Sequence, residues 1–354
     1  PDVELRRSRL DLKPGETRDG QSSLGFFLAF RGLPLVIFFA ALMGLLYYWR
    51  IMPLIIRGFA WFFTRVMRVS GAESLCAASN IFVGIESATT VRPYLGKMTR
   101  SELCTILTAG MATVASTVMA VYIFYLGGVF KTIAGHLISA SVLSAPAAIV
   151  MSKILMPEEG QPVTMGRNVD LAYERESGSV EAIINGAMAG VKLVLGICAL
   201  LIAFLGLIAV VNVILGWCGV MPLEKLLGYV MYPFAVVIGV PPRDALTAGE
   251  LLGQRLIVTE VPAYESLAKL ISAKQFTHPR SQVVIAYALC GFAHVASLAI
   301  FVGGIAALAP ERRRDLAAVG PRALLAATLA CLMTGAVAGV FFHGAATVLG
   351  TAPK

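Results

Sequence analysis

Apolar residues run in long blocks along this chain, and polar residues gather between them. Leu33–Tyr48, Leu103–Leu126, Ile133–Met151, Ala182–Leu215, Val283–Leu308 and Ala323–Leu349 carry almost no charge. About 20 apolar residues in a helix cross the hydrocarbon core of a bilayer, and most of these blocks reach that length. A membrane β-barrel would alternate apolar and polar residues at period two, and these blocks do not. The pattern therefore predicts an all-α polytopic membrane protein.

Residues 1–22 are polar and basic and read as loop. A first span is expected from Phe26 to Met52. Leu54–Val69 mixes Arg57, Arg65 and Arg68 with Trp61, Phe62 and Phe63, which suits a helix lying in the membrane interface. Residues 72–96 are apolar but interrupted by Asn80, Gly84, Glu86, Thr89, Thr90, Arg92 and Pro93. They read as a re-entrant hairpin with its tip near Gly84, because non-helical backbone at that depth must be covered by protein or water. A broken helix over 102–127 and a span over 132–155 complete a first repeat, residues 23–155. The loop 156–180 is the most polar interior segment and is placed on the cytoplasmic side.

The second repeat, residues 181–354, follows the same order. It has a span at 181–215, an interfacial segment at 221–242 and a hairpin at 244–274 holding Glu250, Gln254, Arg255, Thr259, Glu260, Pro262 and Glu265. A broken helix at 281–308 and a span at 320–349 end it. Three crossings separate the hairpins, so they enter from opposite sides and the repeat is inverted. The basic cluster Arg312-Arg313-Arg314 then falls on the same side as 50–70 and 156–180, which its charge marks as cytoplasmic. The basic residues at 1–18 fall on the other side by this count, a conflict with the charge rule.

The duplication is visible in the letters. Gly110-Met111-Ala112-Thr113-Val114-Ala115-Ser116 matches Gly291-Phe292-Ala293-His294-Val295-Ala296-Ser297. Arg100-Ser101 and Arg280-Ser281 precede the two copies. Each half also carries a glutamate in an apolar stretch, Glu86 and Glu260. Repeated, interrupted helices with an intramembrane acid in each copy are a signature of secondary transporters.

Composition agrees. The chain is 57% hydrophobic and 14% charged, where soluble domains carry roughly 25% charged residues. Its net charge of +8 sits in clusters beside spans, as in loops facing anionic lipid, so no nucleic-acid partner is expected. Six scattered cysteines without a CxxC suggest neither disulfides nor a metal site. No P-loop, dinucleotide fingerprint, HExxH or GxSxG is present, so soluble-enzyme chemistry has no support.

A carboxylate at mid-bilayer costs roughly 2.5–3.5 kcal/mol on insertion scales, so Glu86 and Glu260 are either functional or paired. The bland reading has them snorkelling to water or paired with Arg92, Arg255 or Lys269; the parallel placement in both halves favours function. The Gly-x-Ala-x-Val-Ala-Ser stretches are explained by close helix packing if taken singly. Taken together they suit unwound backbone whose carbonyls coordinate a cation, with Thr113, His294 and Ser297 adding side-chain groups. His294 is open between satisfying a neighbour, contacting substrate and carrying a proton.

At these residues the chain resembles the concentrative nucleoside transporter family. The matching strings include Asn80-Ile81-Phe82-Val83-Gly84, Val91-Arg92-Pro93-Tyr94-Leu95, Met98-Thr99-Arg100-Ser101-Glu102-Leu103, Ser144-Ala145-Pro146-Ala147 and Tyr287-Ala288-Leu289-Cys290-Gly291-Phe292-Ala293. They cover nearly the whole chain. The resemblance implies a homotrimeric, cation-coupled nucleoside importer of the plasma (inner) membrane, commonly sodium-driven and needing no cofactor; the titratable Glu86, Glu260 and His294 make proton coupling the other expectation. It implies two further spans ahead of the first one here, hence a truncated sequence. By match, Glu86 with Gly84 and Ile85 would contact the base, Glu260 and Ser297 the ribose, and Phe292 would line the pocket. Asn80, Val83, Ala112, Thr113 and Val114 would hold sodium.

The chain departs from the family at both tips. Gly84-Ile85-Glu86-Ser87-Ala88 is one residue short of the usual Gly-Gln-Thr-Glu-small-Pro. Thr259-Glu260-Val261-Pro262-Ala263-Tyr264 replaces Asn-Glu-Phe-Val-Ala-Tyr, and His294 replaces the ribose-contacting asparagine. Losing polar partners costs about 1–3 kcal/mol per unpaired group, so the substrate is expected to shift within or beyond standard nucleosides. A membrane-embedded enzyme using a Glu/His pair, and a gate or binding protein that no longer transports, are the alternatives.

Overall fold

The computed structural model describes residues 33–172 and 176–342, plus the backbone of 17–18, 21–22, 346–347 and 350–351. The side chains of Ile85, Glu86 and Leu200 lie outside the described set. Helix dominates the described residues. Two antiparallel pairs of two-residue strands are the exception, Thr17–Arg18 with Gln21–Ser22 and Ala346–Thr347 with Gly350–Thr351.

Helix α1 (Pro34–Tyr48) opens with proline in its first turn, where the missing N–H has no helical partner to lose. It bends by 80° into α2 (Ile51–Met67) at Arg50, which adopts φ 62°. Met52, Ile56, Ala60 and Phe63 of α2 are buried at helical spacing, while Leu54, Trp61, Phe62 and Val66 are exposed. Helix α3 (Gly71–Asn80) leads to a 3-10 turn over Ile85–Val91 and a short helix at Arg92–Leu95.

Two capping boxes start the next elements. Ser70 and Glu73 cap α3, and Thr99 and Glu102 cap α4 (Arg100–Ala112). Ser70 Oγ donates to Glu102 Oε1 at 2.6 Å, locking the two starts together. After α4 the chain is extended at Thr113 (ψ 164°) and Ala115 (ψ 136°), then resumes as α5 (Ser116–Leu126). Helix α6 (Ile133–Leu155) follows, then the 39-residue α7 (Ser179–Trp217) and α8 (Leu223–Val237). The second half continues with α9 (Pro242–Ile257), α10 (Glu260–Ser272), α11 (Pro279–Ala288), α12 (Val295–Leu308) and α13 (Arg313–Val340).

Among the described residues, four segments are long and apolar enough to cross a membrane: Arg100–Leu126, Ile133–Leu155, Ser179–Trp217 and Pro310–Val340. The bent pair α1 and α2 makes a fifth candidate. The last helix differs from the expected 320–349. A 3-10 turn at Pro310–Arg312 feeds it earlier, and it ends at Val340, where the Phe341 N–H bonds back to Val337 O and the Phe342 N–H to Gly339 O.

Two apolar cores form, and they exchange half-helices. One gathers side chains of α2, α3, α4, α6, α12 and α13. The other gathers α1, α5, α9, α10 and α11. Each broken helix thus gives its first part to one core and its second part to the other, so both breaks lie where the cores meet. Helix α7 packs on α1 through small residues; a Cβ on Gly186 would meet Ala40 O at 2.7 Å. Much of the rest of α7 is exposed apolar surface, including Ile202 and Leu207.

Candidate functional site

A cavity of about 660 Å3 opens between the cores. Val83, Gly84, Thr89 and Thr90 of the first hairpin line it, and so do Thr259, Glu260 and Val261 of the second. Phe292, His294 and Ser297 come from the second break, and residues of α1 and α7 close the far wall. The size suits one small ligand.

Glu260 is the first residue of α10, where the positive end of the helix favours a carboxylate. It is 3% exposed. Tyr122 of α5 donates to its Oε1 at 2.8 Å, and Tyr122 stacks on Tyr264 with ring centroids 4.4 Å apart. His294 Nε2 approaches Oε2 at 3.1 Å, yet Oε2 accepts no aligned hydrogen bond. The counter-charges weighed in the sequence lie elsewhere. Lys269 pairs with Glu265 at 2.6 Å, Arg255 donates to Ala288 O, and Arg92 is exposed.

His294 is the N-cap of α12. Its Nδ1 accepts the Ser297 N–H at 3.2 Å, and Ser297 Oγ accepts the His294 N–H at 3.3 Å. Because Nδ1 is an acceptor, a ring proton is assigned to Nε2, the nitrogen nearer Glu260, though the two are not aligned as a hydrogen bond. The Ser297 hydroxyl contacts Phe292 O and His294 O.

The expected cation ligands come together around the first break. Asn80 is fully buried; its amide donates to Cys76 O at 3.1 Å and accepts from Ser87 Oγ at 2.8 Å. Ser141 of α6 donates to Ile81 O at 2.9 Å and reaches Val114 O at 3.5 Å. Ser116 bonds Phe82 O through its N–H at 3.2 Å and its hydroxyl at 2.9 Å. The hairpin tip carrying Val83 is thereby fastened to the break formed by Ala112, Thr113 and Val114. Thr113 Oγ1 donates to Ala109 O at 2.8 Å. Among the described residues no three His, Cys, Asp or Glu side chains cluster as metal ligands.

Glu86 and Ile85 have backbone in the 3-10 turn, and their side chains lie outside the described residues. How the Glu86 side chain stands to Glu260 therefore falls outside them too. Gly84, beside them, lines the cavity. Sequence reasoning missed three cavity or second-layer residues. Tyr122 and Tyr264 gave a faint signal as phenols inside apolar spans. Lys192, a lone cation within α7, lines the cavity from the opposite wall and was the clearer one.

The fold and this cavity define a multi-pass membrane transporter. Residues 136–339 match the family described as "Na+ dependent nucleoside transporter C-terminus", and residues 29–129 match one described as "Nucleoside recognition". Solute carrier family 28 member 3 of Mus musculus is 40% identical over 341 residues, which is 91% of this chain and 48% of that protein. An uncharacterized transporter of Haemophilus influenzae is 39% identical over 346 residues, 95% of this chain and 81% of it. Sodium/nucleoside cotransporter 1 of Oryctolagus cuniculus is 33% identical, covering 91% of this chain and 51% of that one. The structure of CNTnw in an inward-facing substrate-bound state superposes with a TM-score of 0.83 at 38% identity, over 90% of this chain and 76% of that chain. The chain belongs to the concentrative, Na+-dependent nucleoside transporter family. That family is one of transporters and not of enzymes, which removes the membrane-enzyme alternative. The chain spans about half the length of the first curated relatives it matches.

Proposed function

We propose that the protein imports nucleosides, or a closely related polar metabolite, by symport with Na+ or H+ through alternating access. The observation that carries this is the convergence of both hairpin tips and the second helix break on one cavity at the meeting of two cores. In this reading α3 to Leu95 and α9 to α10 are re-entrant hairpins of an inverted repeat. Glu260, His294 and Ser297 hold the hydroxyl-rich part of the substrate, Phe292 packs on it, and Gly84, Ile85 and Glu86 face the other end. Asn80, Val83, Ala112, Thr113 and Val114 offer neutral oxygens suited to a hard monovalent cation.

The substituted tips bear on substrate choice. His294 stands beside Glu260 where the family presents an amide, so the hydroxyl-binding end of the cavity differs in this chain. The whole protein is read as a homotrimer of the inner membrane, with the apolar face of α7 toward lipid or neighbouring subunits. Counterflow uptake in proteoliposomes tests the proposal, using a nucleoside panel with sodium and proton gradients imposed separately. Gradient-driven accumulation of a panel member supports it. Binding without accumulation would instead favour the transport-inactive reading that the shortened first tip keeps open.

A further inference from the structure

A second cavity, of about 550 Å3, lies between the end of α2 and the loop after α6. Trp61, Thr64, Arg65 and Arg68 form one wall, and Gly166 and Asn168 belong to the other. None of its lining residues lines the cavity between the cores. Both arginines are exposed, and no ion pair among the described residues includes either. No carboxylate among the described residues lines this cavity. Acids close by have other partners. Asp170, two residues beyond Asn168, lies 3.7 Å from Arg57. Glu73 and Glu158 share a smaller neighbouring cavity with Arg68, and both lie against Lys153. The Thr64 hydroxyl proton goes to Ala60 O at 2.9 Å. Two unpaired guanidinium groups on one wall call for an anion, and their planar forks match the paired oxygens of a phosphate.

Helix α2 indicates where that anion comes from. Leu54, Trp61 and Arg65 follow one another at spacings of seven and four, and Arg68 ends the helix three residues on, so they share one stripe. Ile55, Phe62 and Val66 flank the stripe and are exposed. An exposed apolar face that closes on two arginines suits a helix at the boundary of acyl chains and headgroups, with tryptophan at the headgroup level. A soluble anion would leave that apolar face bare. A lipid phosphate arrives with acyl chains that cover it.

We propose that this cavity binds the phosphate of an anionic membrane lipid, with Arg65 and Arg68 on its oxygens and the acyl chains along the apolar face of α2. A zwitterionic headgroup fits less well, because its own cation opposes the two arginines. The site bears on the first hairpin. Thr164, in the same loop, accepts the Gly71 N–H on its carbonyl at 3.0 Å and the Ala72 N–H on Oγ1 at 3.2 Å. The Arg167 N–H returns to Thr164 O at 3.1 Å. Gly71 and Ala72 open α3, so a filled cavity braces the arm that leads to Asn80.

The test places the full chain in phosphatidylcholine nanodiscs doped with phosphatidylglycerol of matched chains. Trp49→Phe and Trp217→Phe, both at exposed positions, leave Trp61 as the one tryptophan. Phosphatidylglycerol with brominated chains should half-quench Trp61 at a mole fraction about tenfold or more below that of brominated phosphatidylcholine. Arg65→Gln and Arg68→Gln should each raise that fraction by about fivefold, and the double variant should bring it to the phosphatidylcholine value. Millimolar inorganic phosphate should not restore the emission. The wild-type chain in detergent should gain Tm from short-chain phosphatidylglycerol and not from the matching phosphatidylcholine, a measurement that needs no variant. Equal quenching by the two lipids, an excess that survives the double variant, or a wild-type Tm that moves equally with both overturns the proposal. Recovery of emission with inorganic phosphate overturns it too, since the cavity would then hold a free anion. If the double variant does not fold, the comparison of the two lipids on unaltered arginines decides the matter.

Discussion

Gly291 and Ala112 meet backbone to backbone although they belong to different halves of the chain. A Cβ on Gly291 would lie 2.5 Å from Ala112 O and 2.6 Å from Cys331 Sγ. The same thiol reaches Ala112 O at 3.7 Å and Cys290 O at 3.9 Å, so α13 pins the two breaks together. Gly291→Ala should force them apart. Overpacking of this kind costs about 1–3 kcal/mol. The Tm of the purified protein in detergent should fall accordingly, and Gly291→Ala combined with Cys331→Ala should recover only part of the loss, because Ala112 O remains in the way.

Glu260→Gln keeps the shape of the side chain and its acceptor for Tyr122, but removes the charge at the start of α10. Uptake should be abolished while the size-exclusion profile stays that of wild type. Tyr122→Phe should have a smaller effect in the same direction, since it removes one hydrogen bond worth about 1.5–3 kcal/mol to a charged group. Unchanged transport by Glu260→Gln would take Glu260 out of the site.

His294→Asn separates capping from recognition. Asparagine is among the best N-cap residues, so α12 should keep its start and stability, followed by Tm, should change by no more than about 0.5 kcal/mol. The ring N–H beside Glu260 is replaced by a shorter amide. The ranking of substrates in counterflow should change. An unaltered ranking would leave His294 as a helix cap alone.

The breaks were legible because they are written twice, and a repeated Gly-x-Ala-x-Val-Ala-Ser is unusual enough to mark irregular backbone in both halves. Glu260 and His294 were legible because a titratable group inside an apolar block is costly unless used or paired. Which glutamate His294 would meet was not. It depends on α12 presenting its cap toward the start of α10, which local sequence does not encode. Tyr122 and Glu260 lie far apart in the chain and meet only because α5 joins the second core. Arg255 was visible as a charge, but as a partner for Glu260; its turn toward the α11 carbonyl is a consequence of packing. Lys192 was passed over because one charge hardly alters the hydropathy of a 39-residue helix.

Lys192 lines the cavity from α7, opposite the acid. Lys192→Gln removes the cation and keeps a polar tip. Its charge should attract electron-rich substrate atoms, so apparent substrate affinity should fall by severalfold, with little change in Tm because the side chain is exposed. Kinetics over a range of substrate concentrations separates the two effects. A change in Tm with unaltered affinity would assign Lys192 to packing.

Lys153 holds the base of the first half together. Its Nζ lies 2.5 Å from Glu73 Oε1 and 3.6 Å from Glu158 Oε2, and it donates to Ser101 Oγ at 2.9 Å. Glu73 is 1% exposed, so it has no water to turn to if the lysine goes. Removing one partner of a buried pair costs about 3–5 kcal/mol, because the remaining charge stays desolvated. The side chain of Lys153 is 22% exposed, which places Lys153→Met toward the lower end of that range. Neutralising the carboxylate as well should return much of the loss, so the double variant Lys153→Met with Glu73→Gln should melt above Lys153→Met alone. A Tm for the double variant equal to the sum of the separate losses would mean that the two groups are not coupled. The capping box of Ser70 and Glu73 would then be what Glu73 supplies, through its 3.0 Å hydrogen bond from the Ser70 N–H.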